Sequence, residues 1–575
     1  MLKPLRHARL AVAALLVTVG LLITVPTIAD AAAVPRLIVG FRPTTTTASQ
    51  ASTLAAAGLT ARSSRDAVKG GIAQLHTAIV PVTRGTLAAT RAKLLARPDV
   101  QYVEVDHVAH AYDLATEAAT GVTAQWHPND TFLTAQWGLA AIGAESAWEL
   151  ARGTGVTIAV VDTGVGYVHP DLKSRVDLGR DFVDNDDDPM DVQGHGTHVA
   201  GTAAGTADDA FGVAGVAPNS RILAVRVLDK DGAGNYSTVA SGIVYAADKG
   251  AKVINLSLGG PDPSTALEEA INYATTRGAI VTCASGNEGT KTMGYPASYE
   301  GCTSVGATDD SDTRAPFSNV GPGLDLTAPG VQILSSTIGG GHEAWDGTSM
   351  ATPFVSGTAA LLYGQGLTRR DVLAAMTSTA HDLGPAGYDT SFGAGRIDAA
   401  AAVTAASRMP RAAADTIAPT IASVALTAPR RAVTTKVIVS WKVTKRTGWK
   451  RVGTTTDPSG YSWKKTSTRG AKRTTNTFRM TDGIVYRKSV IETRTKAPKK
   501  TAQAYLRIAV NASDDVAVDR VALEWGGRTH AVDWSAGDGW LLEAPCVAGA
   551  RAATVRAYDA ANNVVATDVA LHVTC

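Results

Sequence analysis

The 575-residue sequence has little cysteine and no cysteine pair at the spacing that metal or redox sites use. Its four cysteines stand at positions 283, 302, 546 and 575, and none belongs to a C-x-x-C motif. Four cysteines allow three pairings, of which Cys283–Cys302 and Cys546–Cys575 are the ones close in sequence. Structural disulfides are the expected use of these residues, with two free buried thiols near Cys283 as the alternative.

The sequence also has only one long apolar run, and it lies at the very start. Leu10–Val25 carries no charge and follows a basic segment, residues 3–9. An A-x-A cleavage site follows at residues 29–31. Because the run is short for a bilayer span, we predict that residues 1–33 are a signal peptide, with an uncleaved membrane anchor as the alternative. A secreted, extracellular protein without a transmembrane anchor is therefore expected.

Composition argues against disorder and against a fibrous repeat. Hydrophobic residues make up 45% of the chain, with 56 glycines and 24 prolines, as in a loop-rich globular protein. The length predicts several folded units. Strand and helix patterns suggest a small α+β unit at 34–115 and an α/β domain at 116–407. A linker at 408–420 and an all-β, sandwich-like region at 421–575 follow.

Charge is unevenly distributed along the chain. The formal net charge is +2, yet residues 430–507 contain 21 Lys and Arg against 3 Asp and Glu. Aromatic residues alternate with the basic ones there, which is typical of attachment to an acidic surface such as a cell-wall polymer, an anionic lipid headgroup or nucleic acid. A solvated face with ordinary core aromatics is the alternative, and no specific nucleic-acid partner is expected.

The α/β domain contains five short apolar runs separated by helical patterns. The runs read "VTIAVVD", "RILAVRVL", "KVINLSLG", "AIVTCAS" and "CTSVGAT". Strands that are apolar on both faces and alternate with helices predict a parallel sheet flanked by helices. Active residues are expected at the carboxyl ends of such strands.

Three side chains stand where those ends and helix starts are predicted. Asp162 closes "TIAVVD", and His195 opens a helical segment within "QGHGTHVAG". Ser349 starts an apolar helix after Gly347, with Pro353 expected within its first turn. An acid, a base and a nucleophile in this chain order are a known convergent arrangement, in which the helix N-terminus faces developing negative charge.

The second histidine of "QGHGTHVAG", His198, permits a different hypothesis. His195 and His198 could bind zinc together, but a zinc hydrolase needs a glutamate in an H-E-x-x-H motif or a third ligand. Gly196 and Thr197 supply neither. His195 is therefore the predicted base, and His198 is predicted to pack or to hydrogen-bond.

The motifs "VVDTGV" (160–165), "HGTHVAG" (195–201) and "GTSMATP" (347–353) resemble the three signatures of the subtilisin-like serine peptidases. The resemblance extends over residues 129–406 and is greatest to the thermitase-like branch. It implies a subtilisin-like fold and a calcium-stabilised serine endopeptidase that is made as a zymogen and acts on polypeptide substrates. The alternative is a catalytically silent secreted adhesion protein that uses an Ig-like tail.

The resemblance also implies roles for particular residues. Ser349 is the nucleophile, His195 the general base and Asp162 the group that orients it, while the Asn287 amide stabilises the oxyanion. Substrate backbone pairs with two segments, which hold Ser257, Leu258 and Gly259 on one side and Gly232 and Asn235 on the other. Small residues there favour a roomy, apolar pocket.

Two calcium sites follow from the same resemblance. Six aspartates between 181 and 191 form an acidic run that needs a cation or solvent to offset its repulsion. The first site is expected to use Asp181, Asp184, Asp186 and Asp188. The second is expected to use Asp130, Asp171 and Asp209 with backbone oxygens of Thr206, Phe211 and Val213.

Both flanking regions resemble parts found in secreted peptidases. Residues 34–115 resemble the family's inhibitory propeptide, which plugs the cleft until it is cut away. Residues 421–575 resemble bacterial Ig-like modules.

Overall fold

The structure is a computed structural model that describes residues 35–112, 114–115 and 128–409 and a set of strands between Thr420 and Val573. In this described part of the chain, no helix combines the length and the apolar character that crossing a bilayer requires.

An N-terminal unit of three strands and three helices comes first. Its elements are β1 (Arg36–Phe41), α1 (Thr47–Ala56), α2 (Ala61–Lys69), β2 (Thr77–Pro81), α3 (Leu87–Leu95) and β3 (Val100–Val105). The strands form an antiparallel sheet in the order β2-β1-β3. Leu37, Val39 and Phe41 on alternate positions of β1 are buried against the helices together with Leu54 and Leu94. The period-two pattern of "RLIVGF" thus produces the core of this unit.

A central domain follows, and its elements account for most of the described residues. Two short strands at the end of the N-terminal unit, β4 (Val108–Ala111) and β5 (Leu114–Ala115), pair with strands of this domain. The domain's own strands are β6 (Thr157–Asp162), β7 (Val176–Asp181), β8 (Arg221–Arg226), β9 (Ala233–Asn235), β10 (Val253–Leu256), β11 (Leu258–Gly259), β12 (Ile280–Ala284), β13 (Cys302–Thr308), β14 (Leu326–Pro329), β15 (Ile333–Thr337) and β16 (Gly341–Asp346). Its helices are α4 (Trp137–Ala141), α5 (Ala144–Trp148), α6 (His195–Ala204), α7 (Tyr236–Asp248), α8 (Thr265–Thr275), α9 (Thr348–Gly364), α10 (Arg369–Ser378) and α11 (Ala399–Ala406).

Seven of these strands form one parallel sheet in the order β14-β13-β12-β10-β6-β8-β7. Alternate residues of β6 face two different cores: Ile158 and Val160 pack with α6 and α9, whereas Ala159 and Val161 pack with α7 and α8. The α/β prediction of a parallel sheet flanked by helices is confirmed. All five predicted strands lie in this sheet.

The two edge strands of the sheet were not predicted. β7 reads "VDLGRD" and carries charge on both faces, and β14 reads "LTAP" and ends in proline. β7 is partly exposed, so its sequence has no continuous apolar run to reveal it. β14 is buried at all four positions, but it is too short, and too interrupted by threonine and proline, to give a strand pattern.

The position of Pro353 differs from the prediction. The sequence placed it in the first turn of its helix, but α9 begins at Thr348, so Pro353 is the sixth helical residue. A proline there cannot donate to the carbonyl oxygen of Ser349 four residues earlier. Ser257 Oγ donates to that oxygen instead, at 2.8 Å. A hydrogen bond from Ser257, which lies between β10 and β11, thus replaces the missing one, and α9 continues through the proline.

The C-terminal region contains only strands in its described part. They are β17 (Thr420–Arg446), β18 (Lys450–Thr454), β19 (Ser462–Arg469), β20 (Lys472–Thr481), β21 (Ile484–Ser513), β22 (Val518–Trp525), β23 (Arg528–Ser535), β24 (Gly539–Pro545), β25 (Gly549–Asp559) and β26 (Val564–Val573). All ten pair antiparallel within one hydrogen-bonded network. This agrees with the all-β prediction. Cys546, Cys575 and the side chains of the basic segment 430–507 lie outside the described residues.

Candidate active site

Asp162 and His195 are joined by a short hydrogen bond at the carboxyl end of the sheet. Asp162 is the last residue of the central strand β6, and His195 is the first of α6. The distance from His195 Nδ1 to Asp162 Oδ1 is 2.7 Å, and both side chains are fully buried. Gly194, at φ 115°, makes the turn that brings the imidazole over the strand end. The carboxylate therefore fixes the ring and accepts its Nδ1–H.

Ser349 lies at the start of α9, where backbone N–H groups have no partner within the helix. Its hydroxyl donates to the carbonyl oxygen of Ser257 at 2.8 Å. The Ser257 hydroxyl donates back to the Ser349 carbonyl oxygen, also at 2.8 Å. This reciprocal pair anchors the first turn of α9 to the segment that follows β10.

The side-chain amide of Asn287 is hydrogen-bonded through its oxygen but not through its nitrogen. Its Oδ1 accepts hydrogen bonds from Thr348 N at 3.0 Å and from Thr348 Oγ1 at 2.8 Å. Its Nδ2 is buried and donates to no acceptor among the described residues. A methyl group placed on Gly347 would lie 3.1 Å from that nitrogen, so the free donor lies beside the residues that precede Ser349.

Trp345 lies beside both histidines of the site. Its ring stacks on His195 at 6.5 Å between centroids and more closely on His198 at 4.7 Å. It lies in β16, immediately before the turn into α9. The structure therefore brings Asp162 and His195 together directly, and it places Thr348 and Asn287 in contact beside Ser349.

His198 does not act with His195 as a metal pair. It is buried, its Nε2 donates to the Glu343 carbonyl oxygen at 3.1 Å, and burial lowers its pKa to about 3. Across the described ranges, one group of three potential ligands has all its ligand atoms within 4.8 Å, namely His169, Asp171 and His342. Neither His195 nor His198 belongs to it. His198 packs and hydrogen-bonds, as the sequence predicted.

The residues expected to pair with substrate backbone flank a third strand. β4 lies between β9 and β11 and is antiparallel to both. Leu258 is opposite Ala111, and Gly259 is opposite His110. On the other side Asn235 is opposite Val108, and Ala111 N donates to the Gly232 carbonyl oxygen at 3.0 Å. The chain's own segment thus occupies the cleft between the two predicted walls.

The N-terminal unit also caps two helices of the central domain. Glu104 accepts hydrogen bonds from Ser264 Oγ and Thr265 N, both at 2.8 Å, at the start of α8. Asp106 accepts from Ser237 N at 3.0 Å and from Ser237 Oγ at 2.8 Å at the start of α7. Carboxylates satisfy unpaired N–H groups and oppose the dipole at such ends. These contacts join the N-terminal unit to the face that carries the cleft.

The acidic run at 181–191 is paired with a positively charged side chain of the protein. Arg226 donates to Asp181 Oδ2 and to Asp184 Oδ2, each at 2.6 Å. Asp191 is buried and accepts four hydrogen bonds from the start of α6, so it is a structural cap. Asp186 and Asp188 are exposed. Arg226 therefore offsets part of the repulsion between these carboxylates. The sequence of the acidic run gives no sign of this arginine, because it comes from a different strand.

The second predicted calcium set has open buried oxygens. Oδ1 of Asp130 and Oδ1 of Asp171 are buried and accept no hydrogen bond from the described residues. Burial, together with the Asp209 carboxylate, raises the pKa of Asp130 to about 6. A methyl group on Gly212 would lie 2.1 Å from Asp171 Oδ1, so the backbone of the 206–213 loop passes close to that oxygen. Such a donor set fits a hard cation that takes oxygen ligands.

Cys283 and Cys302 form a disulfide bond that joins the parallel neighbours β12 and β13. It lies in the core shared with α7 and α8.

Sequence reasoning missed several residues that lie beside the candidate sites. Beside the candidate active site these are Trp345 and Tyr112. Beside the two acidic sets they are Arg226, His169 and His342. His169 precedes Pro170 and Asp171, and that proximity could have drawn attention to it. The others carry no local signal, because only tertiary packing brings them to the site.

A family model described as the subtilase family matches residues 153–395. The chain is 43% identical over 370 residues to the thermophilic serine proteinase of Bacillus sp. (strain AK1), and this match covers 64% of this chain and 87% of that protein. It is 46% identical over 277 residues to thermitase of Thermoactinomyces vulgaris, and this match covers 48% of this chain and 99% of that protein.

Among solved structures, one described as proteases from Pseudoalteromonas arctica PAMC 21717 is 33% identical, covers 49% of this chain and 100% of that chain, and gives a TM-score of 0.47. The extent of the match to the two curated relatives, together with the signature motifs, identifies the family. The chain belongs to the subtilase family and is a serine endopeptidase of the subtilisin type.

Proposed function

We propose that Asp162, His195 and Ser349 form the catalytic triad, with Asn287 as an oxyanion donor. The observation that carries this proposal is the 2.7 Å hydrogen bond between the buried His195 and Asp162 at the carboxyl end of β6. Burying a charged group lowers the stability of the fold unless the group has a partner. A buried carboxylate and imidazole that pair at the end of a sheet are therefore more readily explained by a function than by stability. Orienting a general base is such a function.

In the proposed reaction these groups act in turn. Ser349 Oγ attacks the peptide carbonyl carbon while His195 accepts its proton. The hydroxyl, which donates to Ser257 in this structure, rotates about its Cβ–Oγ bond to direct the proton to the imidazole. The Asn287 amide and the Ser349 N–H stabilise the oxyanion. His195 returns the proton to the leaving amine, and water then hydrolyses the acyl enzyme.

Residues 34–115 act as an inhibitory propeptide in this proposal, so the protein is made as a zymogen. The proposal is supported by β4, which fills the cleft between β9 and β11. It is also supported by the helix caps that Glu104 and Asp106 supply. A segment that pairs with both walls excludes polypeptide substrates until it is removed.

Calcium is proposed to bind at two sites and to stabilise the fold. The better supported site uses Asp130, Asp171 and Asp209, because open buried carboxylate oxygens lie there. Bound calcium would neutralise those carboxylates. The other site is the acidic run from Asp181 to Asp188, where an ion would share the carboxylates with Arg226.

Secretion and attachment complete the proposal. The basic, then apolar, start of the chain supports export, and the Cys283–Cys302 disulfide suits an oxidising compartment. The 21 Lys and Arg within 430–507 support attachment to an acidic surface, such as a cell-wall polymer.

Ser349→Ala tests the proposal. We expect this variant to accumulate as an uncleaved precursor and to lose casein hydrolysis, while a serine-directed organophosphonate labels the unsubstituted protein. Ser311→Ala, in an exposed loop, is the matched control and should mature normally. Full activity of Ser349→Ala would contradict the proposed nucleophile.

A further inference from the structure

Two histidines and an aspartate meet outside the candidate active site. His169 and Asp171 lie between β6 and β7, and His342 lies in β16. One potential ligand atom from each of the three lies within 4.8 Å of the other two. His169 and Asp171 are buried, and the side chain of His342 is only 8% exposed. The proposed reaction uses none of these three residues.

The two carboxylate oxygens of Asp171 have different surroundings. Oδ2 accepts hydrogen bonds from Ser336 Oγ at 2.7 Å and from His342 Nε2 at 2.8 Å. Oδ1 is buried and accepts no hydrogen bond from the part of the chain that the structure describes. A buried carboxylate oxygen without a partner lowers stability, so a bound cation would stabilise this one.

The ligand atoms of Asp171 and His342 face the same side of Gly212. A methyl group on Gly212 would lie 2.1 Å from Asp171 Oδ1, 2.6 Å from Asp171 Oδ2 and 2.5 Å from His342 Nε2. Three ligand atoms therefore surround one point, at distances near the roughly 2.0–2.2 Å that zinc keeps from nitrogen and carboxylate oxygen. Any other residue at 212 would place its Cβ among them.

The hydrogen bonds of His169 direct a lone pair toward Asp171. Its Nε2 lies 3.0 Å from the carbonyl oxygen of Gly341, which can only accept, so Nε2 carries the hydrogen. Nδ1 accepts from Asp171 N at 3.2 Å and lies 3.8 Å from Asp171 Oδ2. Histidines that bind metals commonly donate their other N–H to a backbone carbonyl in this way. Because Gly341 precedes His342, one short segment positions both imidazoles.

Aromatic rings surround the two imidazoles. The centroid of Phe132 lies 5.0 Å from that of His342, and the centroid of Phe211 lies 5.6 Å from His342 and 6.4 Å from His169. The imidazoles themselves are 5.2 Å apart at 88°. An apolar shell of this kind restricts solvent and strengthens the attraction between a cation and its ligands.

We infer that His169 Nδ1, the Asp171 carboxylate and His342 Nε2 bind a divalent transition-metal ion such as zinc. Imidazole nitrogen suits zinc, copper and nickel, whereas calcium takes oxygen ligands. The two histidines therefore favour a different class of ion from the one proposed for Asp130, Asp171 and Asp209. Asp171 belongs to both sets, so two dications would share its carboxylate and each would weaken binding of the other. This inference goes beyond the proposed function.

The first test measures zinc binding by the full-length Ser349→Ala chain, in which the proposed nucleophile is absent. After a chelator has removed bound metals, titration calorimetry with zinc sulfate should show a tight site. His342→Gln removes one ligand and should weaken that site at least about tenfold, since loss of even an outer-shell partner has an effect of this size. His110→Gln, at an exposed histidine, is the matched control and should bind zinc as the parent does. Circular dichroism establishes that each variant is folded.

The second test identifies the ligand atoms and needs no substitution. Copper(II) bound to the same chain should show hyperfine coupling to two imidazole nitrogens in its electron paramagnetic resonance spectrum. The same spectrum of His342→Gln should show coupling to one. Zinc affinity measured in excess calcium should be lower than in its absence, because Asp171 serves both ions.

The outcomes that would overturn the inference are distinct from a failure of the proposed function. A parent chain that binds no zinc, or a folded His342→Gln chain that binds it as tightly as the parent, would overturn it. Copper without nitrogen coupling would do the same, and equal zinc affinity with and without calcium would contradict the shared carboxylate. Casein hydrolysis and organophosphonate labelling report separately on the proposed nucleophile.

Discussion

Ser257 and Ser349 exchange two hydrogen bonds: each hydroxyl donates to the other residue's carbonyl oxygen at 2.8 Å. The pairing exists because Pro353 lacks the N–H that would otherwise satisfy the Ser349 carbonyl oxygen. It ties the proposed nucleophile to the segment that is predicted to bind substrate.

This compensation predicts a coupled pair of substitutions. Ser257→Ala leaves the buried Ser349 carbonyl oxygen without its donor and should cost about 1–3 kcal/mol of unfolding free energy. Pro353→Ala restores an N–H at that carbonyl, so Ser257→Ala should then cost at least about 1 kcal/mol less. Urea unfolding of the four combinations in a Ser349→Ala background measures the difference. An equal cost with and without the proline would contradict the explanation.

Asn287→Ala should lower kcat about 100- to 1000-fold with little change in KM, because its amide is expected to act only on the developing oxyanion. Hydrolysis of a peptide anilide by the matured enzyme gives both constants. Asn272→Ala, on α8, is the control and should leave both unchanged. A change in KM alone would indicate substrate binding instead of oxyanion stabilisation.

Glu104→Ala and Asp106→Ala should each weaken the contact between the N-terminal unit and the helices α8 and α7. Each loses a carboxylate that caps a helix, which typically costs about 1 kcal/mol. Thermal unfolding of the Ser349→Ala precursor should show a lower midpoint for both variants. Glu149→Ala removes an exposed carboxylate from a helix end and serves as the control. Unchanged midpoints would show that these helix caps do not stabilise the precursor.

His198 should make stability fall in acid. Burial lowers its pKa from 6.5 to about 3, so between those values the unfolded chain binds a proton that the folded chain does not. Its contribution is complete above pH 6.5 and is lost as the pH falls, at about 1.4 kcal/mol per unit. His198→Gln should remove about 2 kcal/mol of the stability difference between pH 7 and pH 5, measured by urea unfolding in the Ser349→Ala chain. His110→Gln, at an exposed histidine, should leave that difference intact.

Removing calcium should lower the melting temperature, and the size of the effect should depend on Asp130 more than on Asp186. Calcium at 100 times its dissociation constant adds about 2.7 kcal/mol of stability, which a chelator removes. Asp130→Asn should abolish most of the response, whereas Asp186→Asn should reduce it less, because Arg226 offsets charge in that run. Asp310→Asn, on a distant loop, is the control. A full response in Asp130→Asn would place the dominant ion elsewhere.

The sequence by itself determined the parallel sheet, because its central strands are buried on both faces and must be apolar throughout. It also determined the candidate triad, since Asp162, His195 and Ser349 stand at element ends within long signature motifs. Local patterns carry both kinds of information. The edge strand β7 escaped because partial exposure relaxes that pattern, and β14 escaped because it is only four residues long and contains threonine and proline, although all four are buried.

Only the tertiary structure decided which distant groups meet. Arg226 reaches the acidic run from β8, and Ser257 reaches α9 from the segment after β10. Tyr112 reaches the cleft because β4 inserts between two strands more than a hundred residues further along the chain. Hydrogen bonds and burial between remote segments depend on how whole layers pack, and no local spacing encodes that. For this reason the sequence named the candidate reacting residues, while the fold decided which distant groups surround them.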